Sequence, residues 1–161
     1  YPEFVSYFGS LEEITRHNLI IAANFVYGWI PSILEFKSQD LDLAAAVLNA
    51  VKGGSVISEQ DLLVLRNLID NSMVAVSKLL HFVRPDLHVI WDRRVYTYVH
   101  GCYSQYQIQK PGNYLAFLDN CREIVSDGRF TQVHASMNRK IGYEVSPFRA
   151  LELVMYWNGG T

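Results

Sequence analysis

Apolar residues recur along most of this chain at intervals of three and four positions, which is the period of a helix that buries one face. The first such stretch covers residues 11–27 and begins within a Ser10-x-x-Glu13 sequence of the capping-box form. That sequence predicts a helix start. Gly28 and Pro31 predict its end, since glycine favours helix termini and proline cannot continue a helix.

Seven further stretches show the same period, with capping residues, glycine or proline at their ends. They cover residues 39–52, 58–69, 73–82, 92–99, 113–126, 130–140 and 146–157. Between them, the polar residues 70–72 predict a tight turn and the alternating residues 87–91 predict a short extended piece. The pattern as a whole predicts an all-α fold, with seven or eight helices in a single domain over residues 1–161.

Composition narrows the class of protein. The chain has 161 residues, of which 50% are apolar and 19% charged, so it can bury enough surface to fold and is not disordered. Its net charge of -2 argues against coating nucleic acid through bulk positive charge. The two cysteines form no metal-binding pattern, and no stretch is long enough to cross a membrane. We predict a cytoplasmic protein with no cofactor, no metal and no membrane association.

One segment, residues 74–101, has a pattern that points to chemistry. It reads VAVSKLLHFVRPDLHVIWDRRVYTYVHG: an apolar helix, an Arg84-Pro85 break, a short extended piece and then Asp92, which opens a helix. This order resembles the helix-hairpin-helix DNA glycosylase superfamily, the endonuclease III and adenine-mismatch glycosylase group. There an fP(I/V)xD segment leads into a helix that reads D-x-x-V, and Gly101 falls near the glycine that often ends it.

The resemblance implies a helix-hairpin-helix glycosylase-like fold, with Asp92 as the catalytic carboxylate beside a nucleotide turned out of the DNA stack. Such a carboxylate stabilises the positive charge that develops on the sugar as the base leaves, or activates a nucleophile. The flipped base needs aromatic or apolar surfaces, which Trp91 and Tyr96 could supply. DNA is the predicted partner, and the predicted nucleic-acid-binding residues are Lys78, Arg84, Trp91, Arg93 and Arg94.

The chain also departs from the family pattern. The hairpin glycines, whose amides hold a DNA phosphate in the family, fall on Asp70 and Ser72. The lysine nucleophile of the bifunctional members falls on Val74, and Lys78 lies about one helical turn later. The cysteines that bind an iron–sulfur cluster in some relatives are absent. The resemblance therefore favours a monofunctional enzyme, a hydrolase without lyase chemistry, that uses Asp92 alone.

Each of these site residues has a structural interpretation as well. An aspartate before a helix is commonly an N-cap, so Asp92 is either a cap or a catalytic group. Trp91 is either a core residue or a stacking platform, and Lys78 either extends to the surface or pairs with an acid. A non-catalytic helical module, for protein interaction or oligomerisation, is therefore the alternative to the enzyme.

A second pattern overlaps the first. Arg93 and Arg94 precede His100 by seven and six positions on one predicted helix. This resembles the Arg-x4-6-His signature of the all-helical HEPN ribonucleases. The resemblance implies an arginine that holds the scissile phosphate and a histidine that acts as general acid or base. It also implies an obligate homodimer.

Basic residues recur near the C-terminus and could extend the positive surface of residues 84–94. They are Arg129, Arg139, Lys140 and Arg149. If the later helices pack beside the helix that follows Asp92, one face of the protein would be basic despite the net charge. The alternative is a scatter of solvated charges.

Overall fold

The computed structural model describes residues 1–30, 34–37 and 40–160. Within these residues the chain forms ten helices and one isolated antiparallel bridge, between Phe36 and Ile69. The predicted all-α fold is confirmed. There are more helices than the seven or eight predicted, because the N-terminal residues and a single turn near residue 105 are also helical.

In chain order the helices have the following bounds. They are α1 (Pro2–Ser10), α2 (Arg16–Tyr27), α3 (Leu41–Lys52), α4 (Glu59–Leu68), α5 (Met73–Val83), α6 (Arg93–His100), α7 (Gln105–Ile108), α8 (Pro111–Ser126), α9 (Phe130–Ile141) and α10 (Pro147–Asn158).

The chain divides into two units, the first covering Tyr1–Arg84 and the second beginning at Pro85. In the first unit α5 is the central helix, since it packs against each of α1, α2, α3 and α4. All of its residues except Val74 are buried, which its almost unbroken apolar sequence explains.

The second unit contains α6 to α10, and α10 packs against α6, α8 and α9. Its core includes Trp91 and Tyr114, both fully buried. The Tyr114 hydroxyl donates a hydrogen bond to the carbonyl of Val89 over 3.1 Å, which satisfies its polar end in the core. The single domain over residues 1–161 stays a prediction.

Three of the four predicted capping residues, Ser58, Asp92 and Ser146, are the N-caps of α4, α6 and α10, but the fourth, Ser10, is not an N-cap. Ser10 is the last residue of α1, and its hydroxyl donates to the Tyr7 carbonyl over 2.8 Å. The next helix, α2, begins after Thr15, whose side chain forms a capping box with Asn18. The predicted start at Ser10 is therefore wrong, because α1 already occupies that residue. The predicted boundaries at residues 31 and 39 lie outside the described residues.

The predicted turn between α4 and α5 is present. Asp70 and Asn71 adopt φ of 50° and 52°, a left-handed conformation that these two residue types tolerate better than most. Ser72 then caps α5 by accepting a hydrogen bond from the amide of Ala75 over 3.2 Å. The Asp70 carboxylate lies 3.7 Å from the Lys37 ammonium. A compact turn thus joins two helices at the position that the family resemblance gives to its hairpin.

Candidate nucleic-acid interface

Asp92 is the N-cap of α6. It lies in extended conformation after residues 88–91, which form neither helix nor strand, and one carboxylate oxygen accepts a hydrogen bond from the Val95 amide over 3.0 Å. Within the described residues this is the only hydrogen bond of the carboxylate, and the side chain is half-buried. Asp92 therefore caps the helix with one oxygen, and its other oxygen forms no hydrogen bond within the described residues.

Trp91 fixes the segment that leads to Asp92. Its side chain is fully buried, its ring centroid lies 4.4 Å from that of Phe117, and its indole nitrogen donates to the Ile108 carbonyl over 3.2 Å. Tyr96 packs against it with centroids 5.1 Å apart. These contacts support the core interpretation of Trp91, since the ring would have to leave them to stack on a base.

Arg93 and Arg94 form the first turn of α6 and are both exposed. The Arg93 guanidinium lies 4.9 Å from the ring centroid of Tyr103, and that of Arg94 lies 4.9 Å from the ring centroid of Tyr156. Neither arginine forms an ion pair with any carboxylate of the described residues. Aromatic rings thus orient both guanidinium groups without cancelling their charge.

A small cavity of about 270 Å³ lies beside these arginines. It is lined by Arg93, Arg94, Thr97, Gly159 and Gly160, so the start of α6 and the end of α10 together form its walls. The two helices meet there at Gly159, where an added Cβ would lie 2.6 Å from the carbonyl carbon of Arg94. Only glycine allows this backbone approach.

The two remaining predicted binding residues belong to the first unit. Lys78 is only 8% exposed, and its ammonium donates to the Trp29 carbonyl over 2.9 Å. Arg84 is half-buried and donates to the Lys52 carbonyl over 2.7 Å. Both cations bind backbone carbonyls of their own unit. The four consecutive residues 91–94 are the predicted site residues that lie together.

The C-terminal basic residues do not act as one group. Arg149 is buried and pairs with the buried Glu152 on the same helix. Arg129 is exposed but forms an ion pair with Asp127. Hydrogen bonds from the Arg129 side chain and backbone hold the pKa of the Asp127 carboxyl below its usual range. Arg139 and Lys140 are exposed at the end of α9. Of this set, only the last two keep an uncompensated charge on the described surface.

Aromatic residues complete this surface, and sequence reasoning missed their role. The Lys140 ammonium lies 4.2 Å from the ring centroid of Trp157, which is 43% exposed. Tyr156 and Trp157 are neighbours on α10, and each lies beside a cation from a different helix. Lys140 and Trp157 are 17 positions apart in the sequence, so their pairing depends on how α9 packs on α10. No local sequence signal identifies such a pair.

The HEPN-like arrangement concerns the far end of α6. His100 is exposed, and its ring packs against Tyr96 with centroids 4.3 Å apart. Arg93 and Arg94, at the other end of the helix, pack on the rings of Tyr103 and Tyr156. A ribonuclease site that combines these arginines with His100 stays a prediction.

Among the described residues no group of three or more His, Cys, Asp or Glu side chains could hold a metal ion. No described helix is long and apolar enough to span a membrane.

No known protein family, curated protein or solved structure matches this chain. The resemblance of residues 74–101 to helix-hairpin-helix glycosylases therefore stays a prediction. The protein is therefore described by its all-helical fold and by a surface with cations and aromatic rings around the start of α6 and the end of α10.

Proposed function

We propose that this protein binds nucleic acid through the start of α6 and that Asp92 makes it a monofunctional DNA N-glycosylase. One observation carries the proposal: two exposed arginines that form no ion pair within the described residues, Arg93 and Arg94, directly follow a half-buried carboxylate that has one oxygen outside its capping bond. Phosphate groups need exposed cations, and glycosidic cleavage needs a positioned carboxylate.

The distribution of charge supports nucleic-acid binding by the second unit. The first unit carries nine acidic and six basic side chains, whereas the second carries seven acidic and eight basic ones. Ion pairs within the second unit, such as Asp119 with Arg122 and Asp127 with Arg129, offset one acid and one cation each, so its excess of one positive charge is unchanged by them. The net charge of -2 therefore does not describe the surface around α6.

The order of elements supports the glycosylase proposal. Two helices, α4 and α5, are joined by a compact turn with left-handed residues, and a helix-free segment then leads to Asp92. This is the order that the family resemblance implies for residues 74–101 and the hairpin before them. The aspartate at the hairpin position has its charge partly offset, since Asp70 lies 3.7 Å from the Lys37 ammonium.

In this proposal the Asp92 carboxylate stabilises the positive charge that forms on the deoxyribose as the glycosidic C–N bond breaks. Water adds to the anomeric carbon, one of its protons leaves with the departing base, and the sugar keeps the hydroxyl group. Lys78 is buried and bound to the Trp29 carbonyl, which favours water over a lysine as the nucleophile. The expected products are a free base and an intact strand with an abasic site.

Binding is tested by fluorescence anisotropy of a labelled DNA duplex at several salt concentrations. We expect affinity to fall with salt, because phosphate contacts release counterions. Replacing both Arg93 and Arg94 with alanine should reduce the slope of log K against log salt by about 2, at about 0.9 per phosphate contact. Arg122→Ala is the matched control, since the Arg122 side chain is 40% exposed but is paired with Asp119 over 2.5 Å. Binding that is absent or independent of salt would contradict the proposal.

Excision is tested by base release from duplexes that carry a damaged, deaminated or mismatched base. Asp92→Asn should abolish release and keep the fold, because asparagine caps a helix nearly as well as aspartate. A variant that keeps the wild-type rate would rule out the catalytic role of Asp92.

A second candidate is a nucleic-acid-binding module without catalysis. The observation that favours it is the Asp92–Val95 hydrogen bond, which gives the aspartate a complete structural role. If the protein binds DNA with the expected salt dependence and releases no base from any of these duplexes, this candidate replaces the glycosylase.

A further inference from the structure

A groove between α9 and α10 shares no described lining residue with the cavity beside Arg93 and Arg94. It has a volume of about 430 Å³ and combines apolar side chains with polar ones. The lining residues that bear on its chemistry are Gln132, Val133, Ser136, Lys140, Trp157 and Asn158.

Trp157 is the main feature of this groove. Its side chain is 43% exposed although tryptophan is a residue that proteins usually bury to a large extent. Val133, on the opposite helix, is 41% exposed. A flat aromatic ring and aliphatic side chains are thus open to solvent in one concave place.

The charge of the groove is positive. The Lys140 ammonium lies 4.2 Å from the Trp157 ring centroid and forms no ion pair within the described residues. None of the described lining residues is acidic, so Lys140 is the charged side chain of the described groove lining. An anionic ligand with an aromatic part matches this charge and these surfaces, whereas a cationic ligand does not.

We infer that this groove binds an unpaired base of single-stranded nucleic acid, which stacks on Trp157 while Lys140 contacts an adjacent phosphate. This inference rests on the proposed binding of nucleic acid and adds the form of the substrate. Bases of every type stack on an aromatic ring, and a nearby cation follows the backbone. Gln132, Ser136 and Asn158 place amide and hydroxyl groups around the same groove for the polar edge of a base.

The position of the groove supports this occupant. Tyr156 lies beside Arg94 of α6, and the next residue, Trp157, lies beside Lys140 of α9. Consecutive residues on a helix point about 100° apart, so the end of α10 presents one ring toward each neighbouring helix. The cations and rings therefore continue from the start of α6 to the groove. A strand bound at α6 could extend into the groove as single strand.

The test is a titration of the full chain with a single-stranded oligothymidylate of about 15 nucleotides, followed by tryptophan fluorescence and by anisotropy. We expect stacking to quench the fluorescence. Trp157→Phe should still bind but lose most of the quenching, whereas Trp157→Ala should bind about 10-fold more weakly, which is typical for the loss of one base–aromatic stack. Trp29→Phe, in the other unit, should keep both signals.

Two further variants separate the groove from a general surface effect. Lys140→Ala should reduce the slope of log K against log salt by about 0.7, the value for one phosphate contact of a single strand. Tyr106→Ala is the matched control, because Tyr106 is 72% exposed and lies 4.5 Å from the Lys110 ammonium but does not line the groove. It should change the affinity less than 2-fold.

The outcomes distinguish the two proposals. If duplex binding depends on Arg93 and Arg94 but Trp157→Ala binds oligothymidylate as the wild type does, the groove inference is overturned and the proposed function stands. If oligothymidylate binding depends on Trp157 but the protein neither binds duplex DNA nor releases a base, the proposed glycosylase fails and the groove remains. The absence of binding to either form overturns both. An equal loss for Tyr106→Ala and Trp157→Ala would also overturn the groove inference.

Discussion

Replacing Gly159 with alanine tests how closely α10 must approach α6 to build the candidate interface. The backbone of Gly159 has φ of -81° and ψ of 19°, which alanine adopts without strain. The substitution therefore adds only a methyl group. That group would lie 2.6 Å from the Arg94 carbonyl carbon, closer still to the Arg94 carbonyl oxygen, and 2.9 Å from the Met155 carbonyl oxygen.

The cost follows from these distances. Carbon atoms in contact lie about 3.5–4.0 Å apart, so the backbones of Arg94 and residue 159 would have to separate by about 1 Å. All the nearby atoms belong to backbone, which cannot turn aside as a flexible side chain does. Overpacking of this kind costs about 1–3 kcal/mol, and we expect a loss near the upper end because α6 and α10 share the core of the second unit.

The assay is urea denaturation followed by far-ultraviolet circular dichroism. Gly128→Ala is the matched control, since a Cβ at Gly128 meets no heavy atom within 4 Å and its φ is not positive. The control should change the free energy of unfolding by less than about 1 kcal/mol. If Gly159→Ala and Gly128→Ala unfold at the same urea concentration, the close approach of α10 to α6 is incorrect.

The other predictions concern Asp92 and the two cysteines. Asp92→Ala should lower the free energy of unfolding by about 1 kcal/mol, because the Val95 amide loses its acceptor. Asp92→Asn should change the free energy of unfolding by less than about 0.5 kcal/mol. Equal urea midpoints for the two variants would contradict the capping role of Asp92. Burial raises the pKa of Cys121 to about 12. In native protein at pH 8, only the exposed Cys102 should therefore react with a disulfide reagent. Two reactive thiols would contradict the burial of Cys121. The pKa of the Cys121 thiol in the folded protein lies above its ordinary value of 9.0. The protonated thiol therefore contributes its full share of stability below pH 9.0, and the free energy of unfolding falls as the pH rises from there toward 12.

Local signals predicted most of the fold. Ser58, Asp92 and Ser146 each cap a helix as their sequence context indicates, because a cap needs only its own side chain and an amide three residues on. The start at Ser10 failed because Thr15 with Asn18 offers a competing cap a few residues later. The choice between them was decided by α1, a helix whose short sequence has no strong start signal except Pro2.

The candidate site was predictable only where it is continuous in sequence. Asp92, Arg93 and Arg94 are adjacent, so one pattern identifies all three. The burial of Arg149 beside Glu152 was not predictable, since a charged pair one helical turn apart is usually solvated. The partners of Arg94 and Lys140 were hidden for another reason: both rings come from α10, and the approach of that helix to α6 and α9 is set by packing.

The way these cations are held bears on the low net charge. Arg122 and Arg129 are paired with carboxylates, so their charge is offset at the surface. Arg93, Arg94 and Lys140 lie against aromatic rings, which are neutral and attract a cation only through their quadrupole. A ring therefore orients a cation and leaves its charge available for phosphate, whereas a carboxylate orients it and offsets the charge. By this argument the choice of partner for each cation, more than the net charge of -2, determines whether the surface can bind nucleic acid.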